Sequence, residues 1–414
     1  MRRQRSLWGI IPIACFIVGV AIGTLPCCQL TRVPPPQAIS KDATPSFGLL
    51  AEAWNTIERH YVDRSAVKPQ TLTYGAIRGM VDALGDTGHS HFLSPEMVKQ
   101  EHNFSRGTLE GIGAEIRMKN GQVVIVAPMD GTPAERAGLR PGDAILKVDE
   151  KETAGLPLDQ VVDRILGPPG STVTLTLLRP STGRREIIPI VRARITLRSV
   201  DWERLPETQV VHLRVAAFSK GTNKDLREAL IRIQHDNPIG ILLDLRNNPG
   251  GLYDEAVAAA SQFLKSGNVL LEKDASGKVT PVPVEPGGVA TSLPTIVLIN
   301  GGTSSGAEIV AGALQDAHRA LLVGEKTFGT GTVLETFPLS DGSAIMLATR
   351  EWLTPSGHLI WHLGIVPDEG VSLPPEVAPL IPARERKITV AELHASGDEQ
   401  LLKALKWLIQ STGK

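Results

Sequence analysis

The chain has 414 residues, of which 42% are hydrophobic, 21% charged and only 4% aromatic, with a formal net charge of −1. That length suits two or three domains with largely aliphatic cores, and the balanced charge, with no long basic run, excludes an obvious nucleic-acid partner. The three cysteines, Cys15, Cys27 and Cys28, all lie near the start, so the remainder can form no disulfide and no cysteine metal site. No zinc or other metal motif and no phosphate loop is present, and no cofactor is expected.

Residues 1–5 hold three arginines, and residues 6–31 hold no charge. Residues 1–31 are therefore expected to be an uncleaved membrane anchor or a secretory signal. The basic start predicts that the rest of the chain crosses to the outside, giving an extracytoplasmic protein that meets the membrane through this segment. Leu25-Pro26-Cys27-Cys28 resembles a lipoprotein cleavage site loosely, because Pro26 and Cys27 fit it badly. Residues 32–46 contain Pro34-Pro35-Pro36 and read as a stiff linker. A helix is predicted over 47–63, with Leu50, Trp54, Ile57 and Tyr61 forming an apolar face meant for the core. A second is predicted around 74–84, making 47–107 a small helical unit. His89 and His91 come next and suit a metal or a base; the segment 86–92 resembles an element of a known peptidase family, and that resemblance implies a structural role.

Residues 108–194 open with Glu110-Gly111-Ile112-Gly113-Ala114, where glycines let the backbone turn its N–H groups inward into a nest for a chain-terminal carboxylate. A strand is expected at 123–127, and a short helix ended by Gly138 is followed by the Pro141-Gly142-Asp143 turn into a strand at 144–148. A second helix at 158–166 precedes an alternating strand at 172–178. This stretch resembles a PDZ domain. The resemblance implies that a peptide adds as a strand to its edge, with the free carboxylate held by Gly111, Ile112, Gly113 and Ala114; a spacer that binds nothing is the plainer alternative.

Residues 195–385 read as an α/β core, and residues 386–414 as a C-terminal helical segment. A buried strand at 240–246 ends in Asp244 and Arg246, which suit structural ion pairs better than chemistry. Asn247-Asn248-Pro249-Gly250-Gly251 and a helix come after it. A β-branched run at 294–299 is broken by Asn300-Gly301-Gly302, and Thr303, Ser304 and Ser305 lead into a helix with Ile309, Val310, Ala313 and Leu314 on one face. A serine there meets the free N–H groups and positive dipole of the helix start; the bland alternative is a plain helix cap. Residues 332–337 and 344–349 form a hairpin across Ser340-Asp341-Gly342.

Asn300, Gly302, Thr303, Ser305 and Glu308 match the pattern N-x-G-[ST]-x-S-x-x-E of the carboxyl-terminal processing peptidases, serine–lysine peptidases that carry a PDZ domain. Asp244-Leu245-Arg246-Asn247-Asn248-Pro249-Gly250-Gly251 also resembles that family, as does Gly324 to Glu335. The resemblance covers roughly 47–408. It implies an α/β multidomain chain: a helical N-terminal unit, a PDZ domain rich in β-strand with two short helices, and an α/β peptidase core. It further implies Ser305 as nucleophile, with an oxyanion hole from a Gly250–Gly251 N–H and the N–H of Gly306. The family's general-base lysine falls on Thr330 and its orienting glutamine on Leu334. Threonine cannot take the serine's proton, and leucine cannot hold a lysine. A substitute base could come from His358 or His362; Lys326 is expected to be exposed. Three functions are thus in view. One is a serine endopeptidase acting on protein or peptide substrates with free C-termini. Another is a catalytically silent peptide-binding module. The third is a small-ligand carrier with an apolar pocket in place of the cleft.

Overall fold

A computed structural model describes residues 40–86, 90–119, 121–180, 182–196, 198–374, 377–386 and 388–413. The expected anchor and cysteines, residues 32–39 of the expected linker, and His89 lie outside the described residues; the expected linker end at 46 is corrected, because the first helix already begins at Thr44. In chain order the first elements are α1 (Thr44–His60), α2 (Pro69–Asp82), β1 (His91–Leu93) and α3 (Pro95–Ser105). Then come β2 (Thr108–Gly111), β3 (Ala114–Lys119), β4 (Gln122–Pro128), α4 (Pro133–Arg136), β5 (Ala144–Val148), β6 (Lys151–Glu152), α5 (Leu158–Ile165), β7 (Thr172–Arg179), β8 (Arg184–Val191) and β9 (Ala193–Thr196). The core holds β10 (Val200–Arg204), β11 (Val210–Val215), α6 (Thr222–His235), β12 (Gly240–Asp244), α7 (Tyr253–Ser261), β13 (Asn268–Asp274), β14 (Val279–Pro283), β15 (Thr295–Ile299) and α8 (Gly306–Asp316). It continues with β16 (Leu321–Gly324), β17 (Thr332–Pro338), β18 (Ala344–Leu353) and β19 (Glu369–Gly370), and closes with α9 (Pro382–Glu385), α10 (Val390–Ala395) and α11 (Glu399–Thr412).

The central sheet runs β10-β11-β12-β15-β16-β19, parallel throughout except for the antiparallel edge strand β10. Strands β11, β12 and β15 are buried at every position, as a sheet covered on both faces requires. Alternation divides their side chains: Ile241, Leu243, Val297 and Ile299 pack with α6, α7 and α8, while Leu242, Ile296 and Leu298 pack with α10 and α11. A second, antiparallel sheet has the order β1-β18-β13-β14, with β17 also on β18. The β17–β18 hairpin forms where the turn chemistry places it. Strands β1, β13 and β14 carry weaker signals and escape sequence reading.

The small β unit is a sheet of order β3-β4-β5-β7-β8, closed over its own core by α4 and α5, and β3 is an edge strand. Its glycine loop is tight. Gly113 sits at φ 80°, and a Cβ there would lie 2.4 Å from the Cβ of Thr132. The carbonyls of Ile112 and Gly113 accept from Ala134 N–H at 2.8 Å and Met129 N–H at 2.9 Å. The unit also touches the core directly. Asp130 pairs with Arg214, Glu135 with Arg384 at 2.9 Å, and the Lys119 ammonium stands 5.1 Å from the Phe328 ring centroid.

One expectation is corrected. Helix α1 forms, but its apolar face is not core: no residue of it is buried, and Phe47, Leu50 and Ile57 are each more than 40% exposed. Periodicity reports that a face is apolar, not what covers it. Among the described residues no helix is long and apolar enough to cross a membrane.

Beneath the central sheet Arg246, wholly buried, makes two bonds to Asp244 and two to Asp398, the latter at 2.8 and 2.9 Å. It thereby ties α11 to the end of β12. Truncating one partner of such a pair strands the other charge in a low dielectric. We expect Arg246→Ala to cost about 3–5 kcal/mol, read as a lowered urea midpoint with the transition slope unchanged.

Candidate active site

The site lies at the C-terminal ends of β12, β15 and β16, where open α/β sheets present their ligand crevices. The loops after β12 and β15 are stitched together before any reactive group is considered. The Asn300 side chain accepts from the N–H of Asn247 (2.9 Å) and of Gly302 (3.0 Å), and donates to the Asn247 side chain (2.8 Å). Thr303 donates to the Leu245 carbonyl at 2.8 Å, and Ser304 donates to the Pro249 carbonyl at 2.9 Å. Asn300, Thr303 and Ser304 are all buried. Gly302 faces the small β unit so closely that a Cβ would stand 3.0 Å from the Val126 carbonyl oxygen.

Ser305 is half-buried and caps α8 with φ 53° and ψ −122°. That conformation is rare for a side-chain-bearing residue and is held here by its surroundings. Gly250 (φ 92°) makes room for it: a Cβ on Gly250 would lie 2.5 Å from the Ser305 Cβ and 2.8 Å from the Gly306 nitrogen. The Gly250 N–H donates to the Asn248 side chain at 2.8 Å. Of the two glycines, Gly251 is therefore the one whose N–H is not taken by Asn248, and Gly250 serves by lacking a side chain.

Glu308, on the first turn of α8 and wholly buried, is visible in the sequence only as one position of a motif; its work shows only in the fold. Its carboxylate accepts from the Ser305 N–H (2.9 Å), the Thr327 hydroxyl (2.5 Å), the Gly329 N–H (2.8 Å) and the Thr330 N–H (2.9 Å). An acid three residues after a serine at a helix start is the signal that could have found it. Burial pushes this carboxyl above its usual range, while the four hydrogen bonds pull the other way. The Ser305 and Thr330 nitrogens are each 2.9 Å from the same carboxylate oxygen, so they lie no further apart than twice that distance. Thr330 is thus beside the Ser305 turn. It is wholly buried, and its hydroxyl oxygen has no hydrogen-bond partner. Leu334 is half-buried on β17, opposite Ala348, just past a bulge.

The two histidines separate. His358 is exposed and turned to the α8 end, 3.2 Å from the Ser356 hydroxyl and 3.8 Å from the Asp316 carboxylate. His362, at φ 59°, donates its backbone N–H to the Gly329 carbonyl at 2.9 Å and stacks on Trp361 with ring centroids 4.8 Å apart. Lys326 is exposed. Among the described residues no group of three or more His, Cys, Asp or Glu could hold a metal ion. A cavity of about 660 Å³ between the small β unit and the core is lined by Val124, Pro128, Asn247, Asn300, Gly301 and Phe328 among others, but not by Ser305.

Asp244 and Arg246 belong to the buried network below the site. There His212 lies between two carboxylates, 3.0 Å from Asp244 and 2.8 Å from Glu385. Burial alone would lower the His212 pKa, but the two carboxylates override it and raise it to about 9. Burial likewise opposes the charge on Asp244, and the guanidinium groups of Arg246 and Arg214 hold its pKa far below the carboxylate range.

Known proteins resemble this chain in sequence and fold. The sequence model of peptidase family S41 matches residues 209–371, and that of the PDZ domain matches residues 124–179. A probable CtpA-like serine protease of Staphylococcus epidermidis is 37% identical over 338 residues, covering 81% of this chain and 67% of its own. A carboxy-terminal-processing protease of Bartonella bacilliformis is 38% identical over 310 residues, covering 74% and 70%. The solved structure of a photosystem II D1 C-terminal processing protease superposes with a TM-score of 0.67 at 29% identity, over 82% of this chain and 95% of that one. The chain belongs to peptidase family S41, among the PDZ-bearing serine proteases of the carboxy-terminal-processing type.

His212 also gives the site's scaffold a pH dependence. Its folded pKa lies above the ordinary value of 6.5, so its contribution to stability is full below 6.5 and is lost as pH rises through about 9. The urea midpoint of the wild type is expected to fall across that window, and His212→Gln to flatten the fall.

Proposed function

We propose that this chain is a serine-type endopeptidase of low intrinsic rate that engages unstructured C-terminal tails through its PDZ domain and attacks them with Ser305. The observation that carries the reading is Ser305 itself: a strained residue at the start of α8, with Gly250 cleared away beside it. In this reading the N–H groups of Gly251 and Gly306 receive the oxyanion. Gly111, Ile112, Gly113 and Ala114 receive the tail's free carboxylate, and the peptide lies along edge strand β3. The chain divides into a helical unit (47–107), a PDZ domain (108–194), a peptidase core (195–385) and a C-terminal segment (386–414). It works outside the cytoplasm, with residues 1–31 as signal or anchor.

A second reading has its own observation. The Thr330 hydroxyl, at the position of the family's lysine, is buried without a partner, and Leu334 replaces the residue that would steady a lysine. On this reading the site is silent, and the protein is an extracytoplasmic peptide-binding module. General-base catalysis is worth roughly 10²–10⁴-fold, which is the rate a serine site forfeits without one.

The two readings separate in one experiment with an unstructured protein bearing an apolar free C-terminus. Slow turnover by the wild type, abolished by Ser305→Ala, is expected from the first reading. His362→Gln should then be tested before His358→Gln, because the His362 backbone is bonded next to Thr330. No turnover by the wild type, with activity appearing in Thr330→Lys/Leu334→Gln, establishes the second. Where the wild type turns over slowly, the double substitution is expected to raise kcat by about 10²–10⁴-fold.

A further inference from the structure

A second cavity, of about 570 Å³, lies between α4 and β9 on one side and β10, β11 and α9 on the other. Its lining includes neither the Ser305 turn nor the 111–114 glycine loop. Five arginines line it, Arg136, Arg194, Arg198, Arg214 and Arg384, and none of the described lining residues is a lysine. Three carboxylates share the cavity, those of Asp130, Glu135 and Asp201. Each is already engaged: Asp130 by Arg214, Glu135 by Arg384 at 2.9 Å and Asp201 by Arg386 at 2.5 Å. Arg194 has its acid outside the lining, Glu110 at 2.8 Å. Two guanidinium groups are left over, and both side chains are exposed. Arg136 donates to the Gly131 carbonyl at 2.5 Å and meets no carboxylate. Arg198 makes no hydrogen bond or ion pair among the described residues. In a chain of net charge −1, this hollow is a local excess of positive charge, and its like charges repel one another unless an anion sits between them.

We propose that the cavity is a binding site for a phosphomonoester, with Arg136 and Arg198 gripping the phosphate. The planar guanidinium fork matches phosphate oxygens two at a time, which a lysine ammonium does not do. The charge also fits. Two unmatched arginines meet a phosphomonoester carrying roughly −1.5 to −2 at neutral pH, whereas a chain-terminal carboxylate, with one charge, would leave one arginine unmet. The volume lies within the roughly 300–1,000 Å³ of small-ligand sites, and a hollow of this kind takes a compact anion rather than a long polyanion. Pro133, Ile195 and Pro382, all buried, give the lining an apolar part for the organic group of the ester. The two arginines belong to different parts of the chain. Arg136 ends α4 of the small β unit, and Arg198 lies in the connection from β9 to the core strand β10. A phosphate held by both joins these parts, and the bound form is more stable than the free one.

Titration calorimetry on the full-length chain in a non-ionic detergent, with phenyl phosphate at fixed ionic strength, tests the proposal. Saturable binding of one ligand per chain is expected. Arg198→Ala should weaken it by about tenfold and Arg136→Ala/Arg198→Ala by about 10²-fold, one charged hydrogen bond being worth roughly a factor of ten or more. Arg184→Ala/Arg185→Ala removes the same charge from exposed residues of β8 outside the cavity and should leave binding unchanged. Near-ultraviolet circular dichroism identical for all variants shows that the fold is kept. A second arm replaces phenyl phosphate with detergent micelles doped with phosphatidic acid. Binding in that arm alone, lost in the double variant, assigns the phosphate to a lipid headgroup; binding of phenyl phosphate assigns it to a soluble ester. No saturable binding in either arm overturns the proposal. So does binding that the double variant retains, or that the β8 pair loses equally. Malonate binding as tightly as phenyl phosphate also overturns it, in favour of a dicarboxylate.

Discussion

The geometry of the site depends on one buried carboxylate. Glu308 receives the N–H of the strained serine and three donors from the loop after β16, two of them backbone N–H groups. These bonds fix the Ser305 turn and the Thr330 loop against each other. Because the bonds to Gly329 and Thr330 come from the backbone, they hold whatever side chain stands at 330. The backbone arrangement around Ser305 is therefore independent of the side chain at 330.

A second set of charges joins the core to the small β unit. Arg214 reaches Asp130 of that unit on one side and Asp244 on the other, while His212 and Arg246 complete the ring around Asp244. Charges this deep are costly to desolvate, and their net gain over apolar packing is small. What they do fix is register. The sheet end that carries Asn247 and the loop that carries Asp130 are held in one relative position, and Val126 then abuts Gly302 at the back of the Ser305 turn.

Much of this can be read from residues alone, where local chemistry dictates geometry. The break at Asn300-Gly301-Gly302, the Pro141-Gly142-Asp143 turn and the hairpin around Asp341-Gly342 are written in residues that permit few alternatives. Strands β10, β13 and β14 are not legible, because their apolar alternation is weak, although each pairs with a near neighbour in the chain. The misplacement of α1's face has another origin: a period of 3.6 fixes which side is apolar, and tertiary contact decides what it meets. The site is legible in identity but not in connection. Thr330 stands out as a departure, yet its unpartnered hydroxyl, and the use of the Gly250 N–H by Asn248, appear only when the loops are placed in space.

The same geometry shows why Glu308 is poorly placed to act as a base toward Ser305. A carboxylate offers about four lone-pair sites, and four donors already occupy this one. To accept the Ser305 proton it would have to give up a bond that holds the serine's own backbone or the opposing loop. Its proton affinity is raised by burial, but that affinity belongs to a group enclosed by the donors it positions. The carboxylate that orders the Ser305 turn is thereby committed to holding that turn and the opposing loop together.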